Sequence, residues 1–354
     1  MIPKTLRWTG QTKGRLDLID QRKLPGSLEI LRCRNIEQVW DAIKNLAVRG
    51  APAIGVTAAY GVCLAMQGLD ESCQLDKALS RVRQSCDFLA TSRPTAVNLF
   101  WALRRISDRA ENFAASNKNA SVSELRRRIL AEARMIHQED IEMCRAIGRN
   151  GKKFIKDNFG ILTHCNAGAL ATSGEGTALA PMFEAHRDGC SFCVYVDETR
   201  PLLQGARLTA WELGEAGIDT TLICDNMAAS LMKEGKINAV ITGADRIAAN
   251  GDTANKIGTL ALSILAGYYS IPFYIAAPSS TFDLSLENGG QIPIEQRCED
   301  EITTIGRIKV APEGVKVYNP AFDVTDACNI TAIITEKGII EKPNTDRITG
   351  HLAQ

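Results

Sequence analysis

From Gly160 onward the chain alternates short apolar runs with helical ones, and this rhythm restricts its fold more than any other feature. The runs pair as Ile161–Cys165 with Gly176–Arg187, Phe192–Asp197 with Gln204–Ala216, Thr220–Cys224 with Met227–Glu234, and Ala239–Thr242 with Ala254–Ala266. A last apolar run follows at Phe273–Ala277. Apolar strands separated by helix-length crossovers form a parallel sheet with helices on both faces.

The carboxyl ends of such strands share one edge, where ligands bind. The expected exits are His164-Cys165-Asn166, Asp197-Glu198-Thr199-Arg200-Pro201 with Gln204, Cys224-Asp225-Asn226, Gly243-Ala244-Asp245-Arg246 and Ala277-Pro278-Ser279-Ser280. Each alone is a routine polar loop; together they favour a polar site. The fourth opens the stretch Thr242–Thr259, read as strand, loop and helix, with Asp245, Arg246 and the pair Asn255-Lys256. A carboxylate at a strand exit and a lysine at a helix start suit a small anionic substrate. Asp252 reads as a helix N-cap. Leu179 stands where the third glycine of a dinucleotide fingerprint would follow Gly174 and Gly176, so the expected topology is Rossmann-like without a dinucleotide.

The first half reads differently. Leu6–Thr9, Arg15–Ile19 and Leu28–Cys33, broken by Gly and Pro, predict a small antiparallel sheet. Asn35 opens a helix to about Val48, and Arg49-Gly50-Ala51-Pro52 leads into a second, Ala53 to Met66, apolar all round and therefore buried. That junction is either an anion site at a helix N-terminus beside Arg49 or a tight corner with an exposed Arg. Helices are expected over Leu75–Ala90 and Ala96–Phe113, with Arg93 in the loop Thr91–Thr95 between them. A long helix runs from Ser123 towards Asp157, its Arg126-Arg127-Arg128 run a solvated face. The expected domains are 1–130, mostly helical with a small antiparallel sheet, and 131–354, a Rossmann-like catalytic α/β domain.

The 354 residues carry 41 basic and 41 acidic side chains. Zero net charge argues against a nucleic-acid binder with a broad basic face. The eleven cysteines suit a reducing cytosol. Cys63, Cys144 and Cys224 read as core residues, and the single C-x-x-C, Cys190 to Cys193, lacks the partners of a zinc site. MIPKTLRWTG has no apolar signal core, and Leu260–Pro278 reads as helix, turn and strand rather than a membrane span. Cys165 and Asp245 are the two candidates for proton chemistry.

Four motifs carry a resemblance across nearly the whole chain: Arg49-Gly50-Ala51-Pro52-Ala53-Ile54-Gly55, Cys165 to Thr172, Asp197 to Arg207, and Gly243-Ala244-Asp245-Arg246 with Asn255-Lys256-Ile257-Gly258-Thr259. The chain resembles the S-methyl-5-thioribose-1-phosphate isomerases of methionine salvage. Their wider superfamily includes ribose-1,5-bisphosphate isomerases and the regulatory subunits of eukaryotic translation initiation factor two-B. The resemblance implies an aldose–ketose isomerase, cytoplasmic and homodimeric, acting on a small sugar phosphate without metal or organic cofactor. It matches Asp245 to the proton donor and Cys165 to the residue that stabilises the transition state or moves the C2 proton. It matches Arg49, Gly50, Ala51, Arg93, Gln204, Asn255 and Lys256 to substrate binding. An isomerase of ribose 1,5-bisphosphate and a non-catalytic sugar-phosphate-sensing module are the alternatives.

Overall fold

The computed structural model describes residues 4–94, 96–306 and 308–353. The start of the N-terminal stretch, Met1 to Pro3, and Thr95 of the expected Arg93 loop lie outside them. By internal contacts the chain falls into two units: a helical one, residues 4–142 with 169–176, and a sheet-centred one, residues 143–168 with 177–353.

The helical unit begins with an antiparallel sheet of β1 (Leu6–Gly10), β2 (Gly14–Ile19) and β3 (Ile30–Cys33). Helix α1 (Ile36–Lys44) is capped by Asn35, whose side chain accepts the Gln38 amide. It stops short of Val48, because Leu46 turns to φ +58°. Helix α2 (Ala51–Met66) has Pro52 in its first turn and is buried from Ala53 to Met66, as its all-round apolar pattern requires. Helices α3 (Leu75–Ala90), α4 (Val97–Ser116) and the first part of α5 (Val122–Gly151) complete the unit. Gly55 lets α2 approach the first turn of α4: a Cβ there would lie 2.8 Å from the Asn98 carbonyl oxygen. One expectation fails on α5. Arg127 and Arg128 are solvated, but Arg126 is buried; it donates from Nε to Met66 O at 2.9 Å and from Nη2 to Leu69 O. Its guanidinium supplies donors at the carboxyl end of α2, where helical carbonyls lack partners.

In the second unit, β4 (Gly160–Thr163), β5 (Cys193–Asp197) and β6 (Asp219–Ile223) are followed by helices α6 (Ala180–Arg187), α7 (Ala210–Glu215) and α8 (Ala228–Lys233) respectively; β7 (Ala239–Thr242), β8 (Arg246–Ala248) and β9 (Thr253–Lys256) then run in succession before helix α9 (Thr259–Tyr268) and β10 (Phe273–Ala276). A π-helical turn, Gly205–Thr209, precedes α7. Later come β11 (Phe282–Asp283), α10 (Asp300–Thr303), β12 (Thr304–Ile305), β13 (Ile308–Lys309), β14 (Phe322–Thr325), β15 (Ala332–Thr335), β16 (Gly338–Glu341) and α11 (Thr345–Leu352). The main sheet has the order β16-β15-β10-β7-β4-β5-β6. All neighbouring pairs are parallel except β15 with β16. Two strands from the C-terminal region thus extend the five read from the sequence. Separate apolar clusters, one around Ile161, Val194 and Ile241, the other around Leu162, Val240 and Ile275, cover alternate side chains of the same strands. This is the two-faced burial of a parallel sheet.

The stretch Thr242–Thr259 departs from the strand-loop-helix reading. Strands β8 and β9 form an antiparallel hairpin, which pairs with β14 and β11 in a second sheet. Thr253 to Lys256 is therefore strand, and Lys256 stands at a strand end rather than a helix start. Asp252 is not a helix cap. Its Oδ2 accepts Asn250 Nδ2 and the Gly289 amide, and its Oδ1 accepts the Ala327 amide, so one carboxylate gathers three segments at the hairpin turn. Helix α9 begins only at Thr259 and is capped by Asp323, which accepts the Gly258 amide at 2.7 Å and the Leu260 amide at 3.1 Å. Cys63 and Cys144 are buried as expected, whereas Cys224 is half-exposed at the end of β6. No helix of the described residues is long and apolar enough to cross a membrane.

Candidate active site

Strand β4 ends at Thr163 and hands the chain to His164, Cys165 and Asn166, all buried. Cys165 takes φ +64°, a left-handed conformation that non-glycine residues rarely hold. Its surroundings fix it. Its amide donates to Thr199 Oγ1 at 2.8 Å, and its carbonyl accepts the Thr209 hydroxyl at 2.6 Å. Asn166 Nδ2 donates to Glu212 Oε1 at 2.8 Å and to Thr209 Oγ1 at 3.1 Å.

The neighbouring exit is locked to this one. Thr163 pairs with Val196 in the parallel ladder, so His164 and Asp197 leave their strands side by side. His164 Nδ1 lies 2.9 Å from Asp197 Oδ2, and its Nε2 lies 2.8 Å from the Ile257 carbonyl. Burial resists a charge on the imidazole. The Asp197 hydrogen bond and charge, with Asp225 and the Ile257 carbonyl, outweigh that and hold its pKa above the usual range. Asp225, at the end of β6, accepts the Thr199 and Arg200 amides, each at 2.7 Å. His164, Asp197 and Asp225 offer ligand atoms within 4.8 Å of one another. Both ring nitrogens and both Asp225 oxygens are already engaged in hydrogen bonds, which makes the trio a strut between three strand exits.

Asp245 follows β7, the other neighbour of β4, and its amide donates to Ala254 O in the hairpin. Its side chain is exposed. Asn255 is buried, with Nδ2 on Thr259 Oγ1 at 3.0 Å. Lys256 Nζ donates to Ala321 O at 2.7 Å and sits 4.9 Å from the Phe322 ring centroid. The His164 bond to Ile257 thus ties the thiol's loop to the turn after Asn255-Lys256. Gln204 is buried at the head of the π-helical turn, and its Oε1 has no hydrogen-bond partner among the described residues. Cys165, Asp245 and Gln204 therefore follow the carboxyl ends of neighbouring strands of the main sheet, while Asn255 and Lys256 end strand β9 of the second sheet.

The remaining expected residues belong to the helical unit. Gly50 is the N-cap of α2 at φ +89°, and Ala51 is the first helical residue. A Cβ at Gly50 would run into Ala171 Cα and O, so the segment 169–176 lies directly on this helix start. Arg49 and Arg93 are half-buried, in the loops that lead into α2 and α4. The close approach at Gly55 and Asn98 puts both loops at the same end of the helix pair. Two basic residues at converging helix N-termini can take a small anion.

Residues 47–342 match the Initiation factor 2 subunit family. The chain belongs to this family. Among its relatives, the methylthioribose-1-phosphate isomerase of Rhodopirellula baltica is 54% identical, over 99% of this chain and 98% of its own. The 5-deoxyribose 1-phosphate isomerase of Bacillus cereus is 54% identical, over 94% of each chain. Two solved structures share the family fold. The 5-methylthioribose 1-phosphate isomerase of Pyrococcus horikoshii matches with TM-score 0.91 and 41% identity, covering 99% of this chain and 96% of that one. A chain described as the delta subunit of a translation initiation factor, from A. fulgidus, matches with TM-score 0.89 and 43% identity over 99% of both.

The sequence names His164, Asp197, Thr199 and Asp225 as parts of polar exits without giving any of them a role. Thr209 draws no notice at all. No local signal marks them: only the register of the folded sheet, with Thr163 aligned to Val196, puts a histidine beside a carboxylate.

Proposed function

We propose that the chain is an aldose–ketose isomerase that converts S-methyl-5-thioribose 1-phosphate into S-methyl-5-thioribulose 1-phosphate, a step of methionine salvage. The observation that carries this reading is a family relative of that activity at 54% identity over almost the whole chain, with Cys165 and Asp245 at exits of adjacent parallel strands. A 5-deoxyribose 1-phosphate substrate is the second reading, favoured by relatives of that name at the same identity. Both sugars pose one chemical problem: phosphate on C1 locks the ring, and no free aldehyde is available.

In this reading Asp245 gives a proton to the ring oxygen as the C1–O bond breaks. Cys165 then either takes the C2 proton, leaving an enol phosphate that is reprotonated at C1, or stabilises a C2-to-C1 hydride shift. In both routes the C2 hydroxyl loses its proton and becomes the ketone. Arg49, Gly50, Ala51 and Arg93, with Gln204, Asn255 and Lys256, hold the substrate. Preorganised donors of this kind stabilise developing charge best when water is excluded.

The test is a parallel assay of 5-methylthioribose 1-phosphate, 5-deoxyribose 1-phosphate and ribose 1,5-bisphosphate. Ketose formation from the first, at the highest kcat/KM of the three, is expected. A higher kcat/KM for the deoxy sugar selects the second reading. Binding with no turnover of any of the three overturns the isomerase assignment.

A further inference from the structure

The exits of β4, β5 and β6 are joined by one chain of buried and part-buried hydrogen bonds that leads to Cys165, and His164 is its branching point. On one side its ring meets Asp197, and the Asp197 carbonyl accepts the Thr199 hydroxyl, whose oxygen accepts the Cys165 amide. On the other side the ring meets the Ile257 carbonyl, one residue beyond Lys256. Thr199 is itself left-handed at φ +64° and is held from behind by Asp225. Two adjacent non-glycine residues in this conformation persist only where their surroundings over-determine them, and such strain clusters at functional sites.

We infer that His164 is a positioning residue for Cys165: its buried ring, clamped between Asp197 and the Ile257 carbonyl, sets the thiol's loop against the turn that follows Asn255-Lys256. The inference deepens the isomerase reading and rests on it for its kinetic arm only. The ring faces an acceptor at each nitrogen. It satisfies both either as imidazolium against carboxylate or with the shared proton on Asp197, so the pair is neutral overall and can be buried. Gly258, at φ +106°, leaves the ring its room: a Cβ there would lie 2.9 Å from His164 Cε1. The ring and the turn are therefore fitted to each other. A side chain that served only to fill the core would need neither polar partner.

The experiment uses the full chain as wild type, His164→Gln, Asp197→Asn and the double variant. Three quantities are read: kcat and KM, the thermal transition, and the iodoacetamide alkylation rate at Cys165, resolved by peptide mass spectrometry without substrate. The two single variants should each lose kcat on the order of 10²-fold, the scale of a small misplacement of a reacting group. KM should change by less than about threefold, because the loss falls on the transition state. The double variant should lose no more than the worse single, because the pair acts as a unit. Alkylation at Cys165 should change severalfold, while alkylation at the exposed Cys298 should not. Variants that melt cooperatively like wild type but keep its kcat and its Cys165 alkylation rate overturn the inference, as do additive losses. Should His164→Gln fail to fold, Asp197→Asn, which keeps the shape and one hydrogen bond, decides alone. A wild-type protein inactive on every sugar tested would overturn the isomerase reading, while the alkylation arm still decides the positioning role.

Discussion

Thr199 Oγ1 accepts the Cys165 amide at 2.8 Å, and both residues hold the same left-handed backbone, φ +64°. Each conformation costs about 1–3 kcal/mol, so the bond between them is part of what keeps the loop in place. Thr199→Val keeps the shape and removes both the acceptor and the donor to Asp197 O. We expect a loss of about 1–3 kcal/mol in stability by denaturant titration, with a fall in kcat. Thr199→Ser retains the hydroxyl and should restore most of both. A Val variant as stable and as active as wild type would show that the bond contributes nothing.

Asp245→Asn and Cys165→Ser should each slow turnover about 10²–10⁴-fold, the usual value of one acid or base. Asp245 is exposed, so its substitution should leave the thermal transition unchanged. Near-normal turnover in Asp245→Asn removes it from the chemistry. Turnover in D₂O separates the routes: deuterium at C1 of the product supports proton abstraction.

Gly50→Ala should destabilise the chain by about 1–3 kcal/mol from backbone strain alone, since φ is +89°. The added Cβ also collides with Ala171, so the segment 169–176 must shift away from the start of α2. KM for the sugar phosphate should rise as that helix start moves. Chemical denaturation and steady-state kinetics check the two effects.

Asp140 is buried in the helical unit, and burial pushes its carboxyl up to about 6, against the hydrogen bond from the Ser173 amide. The folded chain therefore keeps a proton that the unfolded chain releases near pH 4. Stability from this group is fully present below that pH and is lost as pH rises through about 6. Asp140→Asn removes the dependence. Its stability relative to wild type should increase between pH 4 and 7 by about 3 kcal/mol at most. A difference that stays flat across this range contradicts the assignment.

The parallel sheet was legible because its strands are apolar on both faces, a local pattern that burial imposes. The hairpin of β8 and β9 was not. Thr253-Ala254-Asn255-Lys256 has no strand-like alternation, and its partner β14 lies far along the chain, with Lys256 opposite Phe322. Arg126 misled for a similar reason: the Met66 and Leu69 carbonyls that draw it inward are contributed by another segment.

By itself, the sequence determined the five parallel strands β4, β5, β6, β7 and β10 of the main sheet, the buried α2, and the candidates Cys165, Asp245, Asn255 and Lys256. These follow from periodicity and from the chemistry of strand exits, which are local. Tertiary structure alone decided that Lys256 ends a strand, that Asp252 gathers three segments, and that His164 meets Asp197 beside the thiol. Each of these depends on register and on backbone groups distant in sequence. A one-residue slip between β4 and β5 would leave every residue in place along the chain and separate His164 from its carboxylate.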